Sequence, residues 1–484
     1  MNGSAATTSA ADSRWGRWEA TAAVVGGFAL VAVLWSMLCT APGIPWNAAR
    51  LAPSFALARG LPIYALRESG AHLGWVYGPV FPLWYTPMGL TDNPTLGLML
   101  ASGWNMLTIL TPLYLVVRTA TGGDRRLTWF LFVLGALLLL ANPITRAAFL
   151  FIHVDAVSVG WAVSACLALH AAATRNWRPG LPLAAVAVAL SVAAKQVSIV
   201  LVPATLFWLW RDGHARLLGR WVFWLAVVCG SLAALAFVAF GGEGMLFNAW
   251  LLFSRMPWQG GWEVVGRNLL QVAEASWLWL LAAGFGATVL RLRWRDQLSS
   301  RTASLVRLLF CVAVWQLPLG VTASLVVDAA LNSIHALNYF FLAGLVVAGA
   351  TLAGVATGGE LQIRFRCRAA AVGVAVIALA AAVWSAWAPG MVWTPYRGQE
   401  ELIRLARQHA GRIYLPWNPL TTVITERKIY PFDEALHYLW LARLEPRREA
   451  ILAAVPADPL IIYQEPSQTH FALRYFEKKP ATKP

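Results

Sequence analysis

Ala148-Phe149-Leu150-Phe151-Ile152-His153-Val154-Asp155-Ala156 joins two long apolar runs, about 127–142 and 156–173. Reading those runs as membrane spans decides the fold class. It also makes the two polar side chains between them expensive. An imidazole and a carboxylate at a membrane rim are tolerated where they meet water, an ion or a substrate. The bland reading of His153 and Asp155 is a helix cap or a partner for nearby backbone, because unsatisfied polar groups are costly in lipid. The other reading is a functional site.

The rest of the chain supports the membrane assignment. Its 484 residues are 58% hydrophobic and 13% charged, with 26 tryptophans. Soluble domains carry roughly 25% charged residues. A span needs roughly 20 apolar residues. On that criterion the sequence predicts eleven, at about 20–40, 95–117, 127–142, 156–173, 181–194, 197–210, 221–240, 270–290, 304–327, 336–356 and 369–388. The pair around 181–210 is interrupted by Lys195-Gln196 and reads as two short spans meeting at a polar turn. Arg14 and Arg17 precede the first apolar stretch, and no small-residue cleavage site follows it. That stretch is therefore expected to be a retained span and not a signal peptide.

The formal net charge of +15 is distributed for orientation. Basic residues crowd alternate short loops: Arg118, Arg125 and Arg126; Arg175 and Arg178; Arg211, Arg216 and Arg220; Arg291 to Arg301; Arg364 to Arg368. Cytoplasmic loops carry such an excess. The pattern excludes a nucleic-acid binder and sets the N-terminus inside and the C-terminus outside. The long first loop 41–94, the His153 turn, Lys195, the loop 241–268 and the turn 328–335 then share the outer face. The five cysteines have no metal-ligand spacing and offer no outer pair for a disulfide.

Within the first loop, 47–60 has helical spacing with Gly60 as a stop, and is expected to lie on the membrane surface as an amphipathic helix. Beyond Pro389 the chain becomes charged and contains no span. Residues 391–484 read as a small α/β domain outside the membrane, with a helix over 399–410 and strands over 411–415 and 460–463. The fold class is thus an all-α polytopic bundle, 1–390, followed by that domain.

Chemistry on a lipid-borne substrate at the outer face needs a proton acceptor for an incoming hydroxyl. It also needs cationic or amide groups for a phosphate leaving group. Asp155 and His153 fit the first need, with Glu68 and Asp92 as weaker choices. Lys195 and Arg255 fit the second, against the alternative that each simply snorkels to the interface. His335, Asn338 and Tyr339 fall on one helical face. They serve either the site or interhelical hydrogen bonds. Asp328 is placed to cap the same helix. No P-loop, dinucleotide-binding glycine motif, nucleophile elbow or zincin helix occurs.

The order of these segments carries a resemblance. Gly60-Leu61-Pro62-Ile63-Tyr64 and Tyr77-Gly78-Pro79 follow the first span, then the His153-x-Asp155 turn, Lys195 ending a short span, and Asn338-Tyr339 opening a late one. Over about 20–350 the chain resembles GT-C-type integral membrane glycosyltransferases. It lies near the polyprenyl-phosphate-sugar-dependent bacterial group of family 87 and RgtA/B/C/D-like domains. The resemblance implies inverting transfer of a sugar from a polyprenyl-phosphate donor to an acceptor glycan, lipid or protein. The chain would be a multi-pass protein of the cell (inner) membrane with its catalytic face outside. The family's early acidic residue is matched here by Asn47, which cannot accept a proton, so Asp155 takes the role of base with His153 beside it. Asn47, Tyr64, Glu68, Tyr77, Lys195, Arg255, His335, Asn338 and Tyr339 become the substrate-binding set. No metal or other cofactor is expected, as no oxygen-ligand cluster supports a divalent cation. The alternatives are a transporter or flippase of lipid-linked sugars, or a non-catalytic relative.

Overall fold

The apolar run about 127–142 folds as a helix that stops where the sequence says it must. In the computed structural model, which describes residues 8–258, 262–263, 265–267, 269–270, 273–274, 300–326, 331–355, 391–462 and 471–476, Arg125–Ala141 (α5) turns by 95° into Pro143–Leu150 (α6). Asn142 at the break accepts from the backbone N–H groups of Ile144 and Thr145, and Pro143 lacks an N–H to lose. The chain then runs extended through His153 into Val154–Arg175 (α7).

The remaining bundle helices follow the sequence reading. Thr8–Thr40 (α1) precedes the first loop, which contains Pro45–Ala58 (α2) and Val80–Tyr85 (α3). Pro94–Ala120 (α4) leads to α5, and α7 returns through Gly180–Ala194 (α8). Lys195 is extended, breaking the chain before Leu201–Arg211 (α9), as the polar turn predicts. Leu218–Ala239 (α10) and the short Gly242–Leu246 (α11) follow, then Ser300–Ser324 (α12) and His335–Val355 (α13). Among the described residues, five helices are long and apolar enough to cross a membrane, or six with α5 and α6 as one broken span. Helices stand at nine of the eleven expected span positions. The expected spans 270–290 and 369–388, and Asp328, lie outside the described residues apart from 270, 273 and 274.

Antiparallel α7 and α8 form the centre. Ser191 donates to the carbonyl of Ser158, and Ser158 and Ser198 hydroxyls are 2.5 Å apart. Small residues allow this closeness, as at Gly160 against the Thr108 carbonyl.

The first-loop helix departs from expectation. α2 is covered, with Asn47, Leu51, Ser54 and Phe55 fully buried. One side packs on Val80–Leu90, and Leu51 and Phe55 share an apolar cluster with Leu420, Val423 and Ile424 of the C-terminal segment. Its alanines are small enough to let both faces pack, which amphipathic spacing alone does not reveal.

That C-terminal segment is built of Gly398–Gln408 (α14), Pro419–Glu426 (α15), Asp433–Leu441 (α16) and Arg448–Ala453 (α17). One parallel strand pair joins them, Ile413–Tyr414 (β1) with Leu460–Ile461 (β2). It is tied by backbone to the loop, where Phe432 N–H donates to the His72 carbonyl at 2.8 Å, and to the end of α1, where Tyr396 N–H donates to the Cys39 carbonyl at 3.1 Å. Gln399 reaches the Pro42 carbonyl at 3.2 Å.

Candidate functional site

At the end of the bundle where α7 begins and α8 stops, an aspartate, a lysine and a histidine meet. Asp155 lies in the first turn of α7, where a helix N-terminus favours negative charge. One oxygen receives Lys195 Nζ at 2.5 Å, and the other is 2.5 Å from His153 Nδ1. All three are buried, with side-chain exposures of 6% for Asp155, 8% for Lys195 and 11% for His153. The two chain breaks deliver them. His153 and Lys195 are the extended residues at the ends of antiparallel helices, so their side chains converge on the carboxylate.

This geometry assigns the histidine tautomer. A carboxylate accepts from Nδ1–H, which leaves the lone pair on Nε2. Nε2 makes no hydrogen bond among the described residues, so the imidazole is oriented at one nitrogen and free at the other. Such an arrangement accepts a proton from a third molecule.

The first loop closes over this group. Tyr77 sets its ring edge-on to His153, with centroids 5.8 Å apart. Tyr64 donates to the Tyr77 carbonyl at 2.7 Å, and Trp75 to the Gly78 carbonyl at 3.0 Å. Gly78 is required here: a Cβ would stand 2.1 Å from the carbonyl oxygen of Ala193. Gln196, next to Lys195, donates to the carbonyls of Val76 and Ala249 at 3.0 Å each. His335, at the start of α13, is fully buried within electrostatic reach of Asp155, Lys195 and His153.

Asn47 spends its amide on backbone. Its Nδ2 donates to the carbonyls of Ala41 at 3.0 Å and Leu150 at 3.2 Å. Its Oδ1 accepts from Ile152 N–H at 2.8 Å. The amide therefore clamps the extended strand that presents His153.

Other expected ligands stand apart. Asn338 accepts from Asn142 at 3.2 Å and donates to the Ile334 carbonyl, and Tyr339 donates to the Ile109 carbonyl at 2.8 Å. Of these, the bonds to Asn142 and to Ile109 run between helices. Glu68 and Arg255 are exposed and form no ion pair among the described residues. Asp92 pairs with Arg59 at 2.7 Å away from the cluster. Among the described residues no group of three or more His, Cys, Asp or Glu is placed to hold a metal ion.

Sequence reasoning missed a second charged group on the same wall. Arg50 of α2 lies 3.6 Å from Glu434 of α16, and Tyr438 donates to the same carboxylate. Burial opposes the charge on Arg50, but Glu434, Tyr77 and Tyr438 together, the last also through a side-chain hydrogen bond, hold the guanidinium pKa above its ordinary value. Burial, then Glu434, push the Tyr438 phenol far upward, keeping it a neutral donor. His72, three residues before Trp75 and buried, has its pKa driven down to about 4 by burial. No spacing in the sequence links residue 50 to residue 434; only the docking of the C-terminal segment does.

No family model matches the chain, and no curated protein matches its sequence. Solved structures give looser likenesses. ArnT from Cupriavidus metallidurans bound to undecaprenyl phosphate is 16% identical, with a TM-score of 0.46 over 90% of this chain and 77% of that one. An oligosaccharyltransferase from Archaeoglobus fulgidus, in complex with zinc and sulfate, is 14% identical, with a TM-score of 0.47 over 84% of this chain and 57% of that one.

Proposed function

We propose that this chain is an integral membrane glycosyltransferase. It moves a sugar from a polyprenyl-phosphate donor to a hydroxyl-bearing acceptor at the extracytoplasmic face of the cell membrane. The observation that carries the reading is the His153–Asp155–Lys195 cluster. A proton acceptor, the carboxylate that orients it and a cation stand together where the bundle meets its long first loop.

The geometry redistributes the roles. Both oxygens of Asp155 are already engaged, by Lys195 and by His153, so the better proton acceptor is His153 Nε2, with Asp155 fixing its tautomer and balancing the imidazolium that forms. The acceptor oxygen gives its proton to Nε2 and attacks the anomeric carbon, with inversion. The bond from that carbon to the phosphate oxygen breaks, and Lys195 stabilises the charge on the departing polyprenyl phosphate. The low-dielectric setting strengthens each of these contacts.

Purified protein supplied with polyprenyl-phosphate sugars tests this by release of polyprenyl phosphate. His153→Ala and Asp155→Asn should each lower kcat by about 10²- to 10⁴-fold, the usual worth of a positioned base, with little change in KM for the donor. Undiminished release in both variants overturns the roles. No release from any donor, with intact donor carried across vesicles, overturns the activity in favour of a flippase.

A further inference from the structure

Where the start of α4 meets α14, the protein holds a cavity of about 560 Å³ whose lining includes no member of the His153 cluster. Asp92, Asn93 and Pro94 form one wall, and Glu400, Arg404 and Arg407 of α14 form the other. Asp92 is paired with Arg59, and Arg404 with Glu401. Glu400 and Arg407 have no side-chain hydrogen bond or ion pair among the described residues. Their spacing explains why they do not pair with each other. Side chains three or four apart on a helix are neighbours. These two are seven apart, which is about 10 Å along the axis at 1.5 Å per residue. A carboxylate and a guanidinium therefore line one cavity from points two turns apart, and neither neutralises the other.

The apolar rim tells what kind of molecule reaches this cavity. Leu90 and Leu96, on either side of the Asp92–Pro94 wall, are 77% and 47% exposed. Leu100, one turn further along α4, is also exposed. α4 is long and apolar enough to cross a membrane and carries Arg118 in its last turn. A basic end marks the cytoplasmic side, so the cavity opens at the other, in the outer headgroup layer. A small anion there would meet Arg407 but leave Glu400 facing it, and a small cation the reverse. A molecule with both a phosphodiester and an ammonium group satisfies the two together, since guanidinium suits phosphate oxygens and ammonium donates to carboxylate. Acyl chains on the same molecule cover the leucines.

We propose that the cavity between α4 and α14 binds a zwitterionic glycerophospholipid of the aminoethyl-phosphate class. Its phosphodiester sits on Arg407, its ammonium on Glu400 and its chains along α4. The lipid bridges the bundle to the C-terminal segment, adding to the backbone ties at Phe432 and Tyr396. The inference stands on the membrane placement of α4 and not on sugar transfer, so it can fail while the proposed activity holds.

Binding of dioctanoyl phosphatidylethanolamine to the full-length, delipidated protein in detergent, followed by native mass spectrometry, tests this. Phosphatidylglycerol of the same chain length lacks the ammonium. It should bind about threefold to fivefold more weakly, the worth of one partly exposed charge contact. Arg407→Gln should weaken both lipids by a like factor. Glu400→Gln should weaken only phosphatidylethanolamine and so erase the preference. Thermal melts confirm that the variants fold. Arg412→Gln, exposed in the same segment and paired with Asp458, should change neither lipid. Equal binding of the two lipids by wild type, a preference that survives Glu400→Gln, or binding unmoved by Arg407→Gln overturns the proposal. An equal loss in Arg412→Gln marks a general effect of charge and overturns it too. Glycerophosphoethanolamine, the headgroup without chains, should bind far more weakly; binding as tight as the lipid's overturns a lipid as the ligand.

Discussion

Asn47 shows how far a residue can be read before its neighbours are known. The sequence locates it where the resembled family carries an acid, and identity alone then says that the base is missing. The structure shows why an amide stands there: Nδ2 faces two carbonyls and Oδ1 faces an N–H, so the position needs donor and acceptor at once. A carboxylate would set its oxygens against the Ala41 and Leu150 carbonyls. Asn47→Asp should therefore lower the melting temperature, at about 1–3 kcal/mol for buried groups left unpaired, and give no gain in polyprenyl phosphate release. A variant that melts as wild type and turns over faster would show that residue 47 can still serve as the base. His153 and Asp155 were legible because polar side chains between apolar runs stand out. Arg50 and Glu434 were not, because one sat among ordinary loop charges and the other in a tail whose docking no local pattern encodes.

At the scale of elements, the breaks matter more than the helices. The interruption at Lys195 was readable from charge: two short spans place both flanking arginine groups on one side, and the chain indeed breaks there. The burial of α2 was not readable, since its covering residues come from α15, some 370 positions later in the chain. Between these sits the Tyr77-Gly78-Pro79 segment, pressed on the last turn of α8. Adding a methyl at Gly78 forces the loop and the Ala193 carbonyl apart, and they have backbone on both sides with no flexible side chain to yield. Gly78→Ala should lower the melting temperature and displace Tyr77 from His153. Donor turnover should fall by at least about tenfold, as misplacement by roughly an ångström can cost 10²-fold. Turnover and stability equal to wild type would show that Gly78 is not a spacing requirement.

Among the described residues, the basic loops after α4, α7 and α9 lie at the opposite end of the bundle from the polar cluster, and this sidedness follows from composition before any contact is known. The His153 turn, the end of α8, the first loop and the C-terminal segment pack together. The loop between α7 and α8, with Arg175 and Arg178, lies at the far end of those helices. An excess of Lys and Arg marks the cytoplasmic loops, so the candidate site should face away from the cytoplasm, with the C-terminal segment as its cover. Two exposed positions test this in a background with the five cysteines replaced. Lys428→Cys, beyond α15, should react with a membrane-impermeant maleimide in intact cells. Trp177→Cys, between α7 and α8, should react only after the membrane is opened. Labelling of both from the same side would break the antiparallel course of α7 and α8. The reversed pattern would turn the site toward the cytoplasm, where an extracytoplasmic acceptor could not reach His153.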